Sequence, residues 1–160
     1  MKLNLGSGTD YREDYINVDD SSSNLCRPDI IWNLTEFPWP FDDNSADEIY
    51  MNQVLEHLPD TTRTLQEIRR ILKVGGLFHG SVPYGRSYCA IVHWQHYRYF
   101  VAQSFYMMGE HFNFKVEAKN IRWDVGWKWK FRNTILPARL QEVLGINDAY
   151  EVVNFRMIKL

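Results

Sequence analysis

With 160 residues, 45% of them hydrophobic and 24% charged, the chain is sized for one globular domain, residues 1–160, and is too short for two ordinary ones. A formal net charge of -2 excludes a general electrostatic pull toward nucleic acid or anionic membrane, and no apolar run is long enough to span a bilayer. The two cysteines, Cys26 and Cys89, form neither a metal spacing nor a disulfide framework, and MKLNLGSG leads straight into a strand, so a reduced, cytoplasmic setting is expected.

Leu3 to Leu5 reads as a short strand stopped by Gly6, and Tyr15 to Val18 as a second strand followed by Asp19 and Asp20. IIWNL, Ile30 to Leu34, reads as a third strand. The proline-rich loop EFPWPFDDNS leads to a fourth, Glu48 to Met51. Asp60 is a good N-cap for a helix carrying Leu65, Ile68 and Leu72 at helical spacing, with Gly75-Gly76 expected to end it. Leu77 to Val82 is a fifth strand, and the alternation of strand and helix predicts a mostly parallel sheet. Farther on, Ser104 to Glu110 reads as a helix, Phe112 to Ala118 as a strand, Pro137 to Leu144 as a short helix and Tyr150 to Ile158 as a closing strand. No repeat, low-complexity run or domain linker interrupts the chain.

Gly6 and Gly8 allow a sharp turn and close backbone approach to a ligand, and free amides at such a turn can hold an anion. A dinucleotide fingerprint would need a third glycine where Tyr11 stands and a later acid than Asp19, and no Gly-Lys-Ser/Thr follows for a Walker loop. The plainer alternative is a tight turn that happens to contain glycine. The gap from Gly6 to Asp14 leaves room for at most one helical turn between the first two strands. Asp19, Asn33 and the pair Asn52 and Gln53 end successive strands, so polar groups converge on the carboxyl edge of one sheet, where open α/β sheets bind ligands. There a carboxylate at Asp19 could accept both hydroxyls of a ribose, and the amide oxygen of Asn33 an adenine amine.

The order LNLGSGTDYREDYINVDD, DIIWNL, FPWPFDDNSADEIYMNQVLEHL and LQEIRRILKVGGLFHGSVPY resembles the class I S-adenosylmethionine-dependent methyltransferases, the small type 11 kind, over Leu3 to about Tyr84. HWQHYRYFVAQSF is similar to that family's His-x-Arg-x-Phe segment after the fifth strand. The resemblance implies a Rossmann-like α/β fold whose seven strands run in the order 3-2-1-4-5-7-6. The last strand, Tyr150 to Ile158, would be antiparallel. It implies S-adenosyl-L-methionine as cofactor, with Gly6, Ser7 and Gly8 along its methionine part and Asp19 on the ribose. Asn33, where relatives often have aspartate, and the Leu34 amide would meet the adenine, and Asn52 and Gln53 the methionyl end.

This chain departs from the resemblance in lacking helices before the first strand and a helix between the first two strands. One sheet face is then thinly covered, and an apolar face left bare is costly. The aromatic later half or a second subunit, in a homo-oligomer, is expected to cover it.

Methyl transfer asks the protein for orientation and, at most, a base, so no loud catalytic constellation is needed. His57 and His96 are the candidate bases, although Glu56-His57 could equally tie a strand end to the next helix. His93, Arg98 and Tyr99 after the fifth strand are candidates for the acceptor wall, with Trp123 and Trp127 as lids in the family-like layout. Some relatives carry Glu-x-x-Glu-His and a later histidine that hold a metal. Gln53 replaces the first glutamate here, so no tightly bound divalent metal is expected.

In RWDVGWKWKFR, Arg122 to Arg132, tryptophans alternate with basic residues. That is either an amphipathic strand over the core or a single-strand nucleic-acid surface. The leading expectation is therefore methyl transfer to a small-molecule or glycan-type acceptor. Against it stand a non-catalytic or partner-dependent module of the same fold and an RNA methyltransferase, the last disfavoured by overall charge.

Overall fold

The computed structural model describes residues 1–20, 27–121 and 152–160. Seven strands form one sheet: β1 (Lys2–Leu5), β2 (Ile16–Asp19), β3 (Ile30–Ile31), β4 (Ala46–Asn52), β5 (Leu72–Pro83), β6 (Phe114–Ile121) and β7 (Val152–Lys159). Their order is β3-β2-β1-β4-β5-β7-β6, with β7 antiparallel to both neighbours and the remaining pairings parallel. Among the described residues the α-helices are α1 (Thr61–Ile71), α2 (Tyr88–Val92) and α3 (Ala102–Phe112). Among the described residues no helix is long and apolar enough to cross a membrane.

The β1–β2 connection holds no helix, as its length predicts. Two asparagines take the place of one. Asn4 on β1 donates to the Asn17 side chain on β2 (2.9 Å) and to the Asp10 carbonyl (2.7 Å). Asn17 in turn holds the Arg12 amide and the Arg12 and Tyr15 carbonyls. Both asparagines are buried, and these bonds satisfy them while fixing a crossover otherwise too short to order itself.

Two elements differ from the sequence expectation. The helix before β5 ends at Ile71 and the chain passes directly into strand. Gly75 and Gly76 lie inside β5, in the irregular stretch where pairing to β4 jumps from Ala46↔Leu72 to Glu48↔Leu77. β3 is only two residues long because Asn33 turns the chain, its side-chain oxygen taking the Thr35 amide (3.0 Å) and hydroxyl (2.8 Å). The Asp60 cap is as expected, its carboxylate accepting from the Arg63 amide at 2.9 Å. The stretches Arg122 to Arg132 and Pro137 to Leu144 lie outside the described residues.

One face of the sheet carries the core. Leu3, Leu5, Ile49, Met51, Phe78 and Phe155 are fully or almost fully buried, and α1 adds Leu65, Ile68 and Ile71 and α3 adds Phe105. The opposite face was expected to be apolar and in need of cover. Among the described residues it is instead largely polar, because Lys2, Glu48, Tyr50, His79, Ser81, Lys115, Glu117 and Arg156 occupy it beside Leu77 and Ile158.

Glu48 organises the β1, β4 and β5 part of that face. It accepts from the Tyr15 hydroxyl, lies 2.7 Å from His79 Nε2 and pairs with Lys2 at 3.1 Å, while the Arg12 guanidinium stacks 3.7 Å from the Tyr50 ring centre. Burial alone would raise the Glu48 carboxyl, but the bonds from Tyr15, Lys2 and His79 outweigh it and hold the group down to about 2. A carboxyl depressed in the fold stabilises above its ordinary value of 4.5, and the benefit disappears as pH falls toward 2. Glu48→Gln should therefore cost about 1–2 kcal/mol at neutral pH. Urea unfolding of both proteins should show that gap closing as pH is lowered below 4.5. A gap unchanged down to about pH 3 would contradict this account of Glu48.

Candidate functional site

At the carboxyl ends of β1, β2 and β4 the chain opens into a cleft of about 710 Å³. Gly6, Asp19 and Asp20 form its floor, Trp32, Asn33, Leu34 and Thr35 one wall, Gln53, Val54, His57 and Leu58 another, and Trp94, Gln95 and Tyr97 its outer rim.

The glycine turn wraps the end of β2. The Gly6 and Ser7 amides both reach the Val18 carbonyl (2.8 and 3.1 Å), and the Gly8 amide donates to Asp19 Oδ2 at 2.8 Å. Gly6 has φ +69°, and a Cβ there would lie 2.5 Å from Val54 Cγ2. Gly6 thus keeps the backbone of β1's end flush with the cleft wall. Of the turn, Gly6 alone lines the cleft. Ser7 is buried, and Gly8 faces a separate depression with Thr9, Tyr11, Arg27 and Asp29.

Gln53 follows β4 with φ +57°, an uncommon conformation for a residue with a side chain. It is held there by its amide on the Ser81 carbonyl (2.8 Å) and its side chain on the Ser81 hydroxyl (3.0 Å). Asn52 does not reach the cleft, its side-chain oxygen taking the Ser81 hydroxyl instead. Asn33 lines the cleft, and its side-chain oxygen accepts from both the Thr35 amide and the Thr35 hydroxyl. Its effect is on the backbone: it sets the turn that brings Leu34 into the wall. Trp39 fixes that wall from behind, its indole N–H donating to the Leu34 carbonyl at 3.1 Å. Arg70 ties the loop behind Trp39 to α1 through the Trp39 and Phe41 carbonyls and Glu67.

The three candidate histidines come together. His57 closes a 3-10 turn, Leu55–His57, and His93 and His96 lie on the loop after α2. The two segments are pinned by the Tyr97 amide on the Glu56 carbonyl at 2.8 Å. The His93 and His96 rings stack with centres 4.6 Å apart, and His57 stands edge-on to both. Burial, then the proximity of His96 and His93, lowers the His57 pKa and favours neutral imidazole. Glu56 beside it is 1% exposed, and neither carboxylate oxygen has a hydrogen-bond partner among the described residues. Burial pushes its carboxyl to about 7.

The other acceptor-wall candidates lie outside this arrangement. Arg98 and Tyr99 are not among the lining residues, nor are His93 and His96, which flank the cleft behind His57, and the Arg98 guanidinium reaches the Tyr97 and Pro59 carbonyls. Trp123 and Trp127 lie outside the described residues. Trp94 and Tyr97 are among the residues that read as a wall after the fifth strand, whereas Trp32, Val54 and Gln95 were not anticipated. Val54 was discoverable in principle, since a glycine turn implies a side chain pressed against it, whereas Gln95 gives no motif or periodic signal.

Residues 7–79 match the model of a methyltransferase domain family. No curated protein sequence matches. Among solved structures, a chain from the complex of the Haloferax volcanii Trm112 methyltransferase activator with a methyltransferase is similar at 20% identity and TM-score 0.69, over 98% of this chain and 80% of that one. A SAM-dependent methyltransferase from Archaeoglobus fulgidus is similar at 14% identity and TM-score 0.70, over 99% and 85%. Haemonchus contortus phosphoethanolamine N-methyltransferase 2, with phosphomonomethylethanolamine and S-adenosylhomocysteine, is similar at 15% identity and TM-score 0.65, over 99% of this chain and 48% of that one. At these identities the structures speak for the fold, and the sequence match speaks for the glycine turn through β5. By its sheet order and its matched segment, the chain is similar to the class I S-adenosylmethionine-dependent methyltransferases.

Proposed function

We propose that the chain binds S-adenosylmethionine in the cleft and transfers its methyl group to a small-molecule or glycan-type acceptor held at the rim. The carrying observation is the cleft itself, with Gly6 and Asp19 on its floor, the Trp32–Thr35 turn on one side and His57 on the other. The residues fit the cofactor. The volume suits a nucleoside-sized ligand, and Gly6 clears the wall where any side chain would intrude on Val54. Asp19, bound to the turn through Oδ2, would offer Oδ1 to the ribose hydroxyls. Trp32 and Leu34 would flank the adenine, and Gln53 would lie by the methionyl end. When bound, the cofactor supplies an activated methyl group and its own leaving group.

This chain's residues would then do two things. Trp94, Gln95 and Tyr97 would hold the acceptor and keep water from the transfer. A histidine would take the acceptor's proton. His96 suits this, because its Nδ1 lies 2.9 Å from the Ala90 carbonyl and would carry the proton there, leaving Nε2 bare. His57 is the second choice. In an acceptor screen scored by S-adenosylhomocysteine release, His96→Ala should lower kcat by about 100-fold, with cofactor affinity kept within about twofold of wild type. Unchanged kcat with an acceptor that turns over would remove His96 from the chemistry. Loss of cofactor binding would put the rim in the wrong place.

Dependence on a partner is a second reading. Tyr88, Ile91, Val92 and Trp94 are each more than half exposed on one short segment, and one similar structure is a complex with an activator. The isolated chain would then bind the cofactor and turn over nothing in the screen.

A further inference from the structure

We propose that His57, His93 and His96 form a three-imidazole site for a borderline divalent transition ion, zinc foremost, at the rim of the cleft. The observation is geometric: each histidine offers a ring nitrogen, and these atoms lie within 4.8 Å of one another. Tetrahedral zinc with Zn–N bonds of about 2.0–2.1 Å holds its donors about 3.4 Å apart. His93 is exposed, so its ring can turn to adjust its distance to the other two.

Two further features prepare the site. The His96 Nδ1 to Ala90 carbonyl contact fixes that ring's tautomer and leaves Nε2 as the ligand atom, the outer-sphere arrangement that metal-binding histidines use. His57 likewise hydrogen-bonds to the Gln95 backbone. The backbone contacts of Tyr97 and Arg98 to the Glu56 carbonyl then hold two segments far apart in sequence in register, so the trio is assembled before any ion arrives.

The donor set decides which ion. The expectation against a metal rested on Gln53 standing where an oxygen-ligated ion would want a carboxylate. None of the three clustered donors is an oxygen, so magnesium and calcium are disfavoured and Gln53 is irrelevant. Three protein ligands leave a fourth position for water or an acceptor oxygen, the pattern of an open zinc site. Of the three, His57 lines the same cleft as Gly6 and Asp19, so the site borders that cleft. With the ion bound, His57 and His96 are ligands rather than bases, and the ion's positive charge lowers the pKa of an acceptor hydroxyl.

The test does not depend on methyl transfer. Tag-free, chelator-stripped protein is titrated calorimetrically with zinc sulfate and, separately, with magnesium chloride. Cobalt(II) serves as a visible-absorption probe of tetrahedral coordination. One zinc per chain, no magnesium, a tetrahedral cobalt spectrum, and affinity lost by more than about tenfold in His93→Ala are expected. His93 is exposed, so that variant should fold, and circular dichroism checks it. Zinc binding no tighter than that of a folded His93→Ala, or magnesium bound equally well, would overturn the site. A chain that binds zinc but no S-adenosylmethionine would sink the proposed function and leave this inference standing. The converse result would do the opposite.

Discussion

Asp19→Ala should weaken S-adenosylmethionine binding by about 3 kcal/mol, roughly 100-fold, while costing the fold about 1 kcal/mol. The two effects come from the two sides of one carboxylate. Oδ2 holds the Gly8 amide, and among the described residues that partly buried bond is what the fold loses. The larger loss belongs to the ribose hydroxyls, which would face an apolar methyl where a charged acceptor stood. The position is rigid: Asp19 pairs with Ile31 across β2 and β3, and its carbonyl holds the Trp32 amide at 2.9 Å. Asp19→Asn keeps an acceptor for Gly8 but not the charge, so it should bind between wild type and Asp19→Ala. Calorimetry checks binding and thermal unfolding checks stability. Equal affinity in a folded Asp19→Ala would remove Asp19 from the site.

Gly6→Ala should cost about 2–4 kcal/mol of stability, lowering Tm by about 5–12 °C. A φ of +69° is unfavourable for alanine, and the new methyl would sit 2.5 Å from Val54 Cγ2 and 2.8 Å from Cγ1. Val54 cannot simply swing aside, because its branched side chain is stiff about χ1 and follows Gln53 in its own constrained conformation. Cofactor affinity should fall as well, since whatever shifts to relieve the overlap is cleft wall. The double variant Gly6→Ala with Val54→Ala separates the causes: it should recover the part due to overlap and keep the part due to backbone strain. A Gly6→Ala protein as stable as wild type would mean that the turn does not run as described.

The parts legible in the sequence are those set by local chemistry or by ordered motifs. The glycine turn, the acid after β2 and the Asp60 cap are local. The sheet order and the place of β7 followed from the resemblance, not from periodicity. Errors arose where tertiary contacts overrode local signals. IIWNL reads as five strand residues, but Asn33 bonds to Thr35 and ends β3 after Ile31. Gly75-Gly76 reads as a helix stop, but β4 offers pairing to Leu72 and the strand begins there. The helices missing relative to the family made the second face seem bare and apolar, yet its residues were already largely charged and polar in the sequence. At the site, His57, His93 and His96 were each visible as candidates. That His57 meets a later histidine followed from the resemblance, but that both His93 and His96 join it depends on backbone bonds between Tyr97 and Glu56 that no pattern encodes.

The central claim is that the cleft over Gly6 and Asp19 is a cofactor site, and titration of the wild-type chain with S-adenosylmethionine and S-adenosylhomocysteine tests it most directly. Saturable binding of both at one site per chain, with heat lost in Asp19→Ala, is the expected result. No heat from either ligand with a folded wild-type chain, or binding that Asp19→Ala leaves intact, would contradict it.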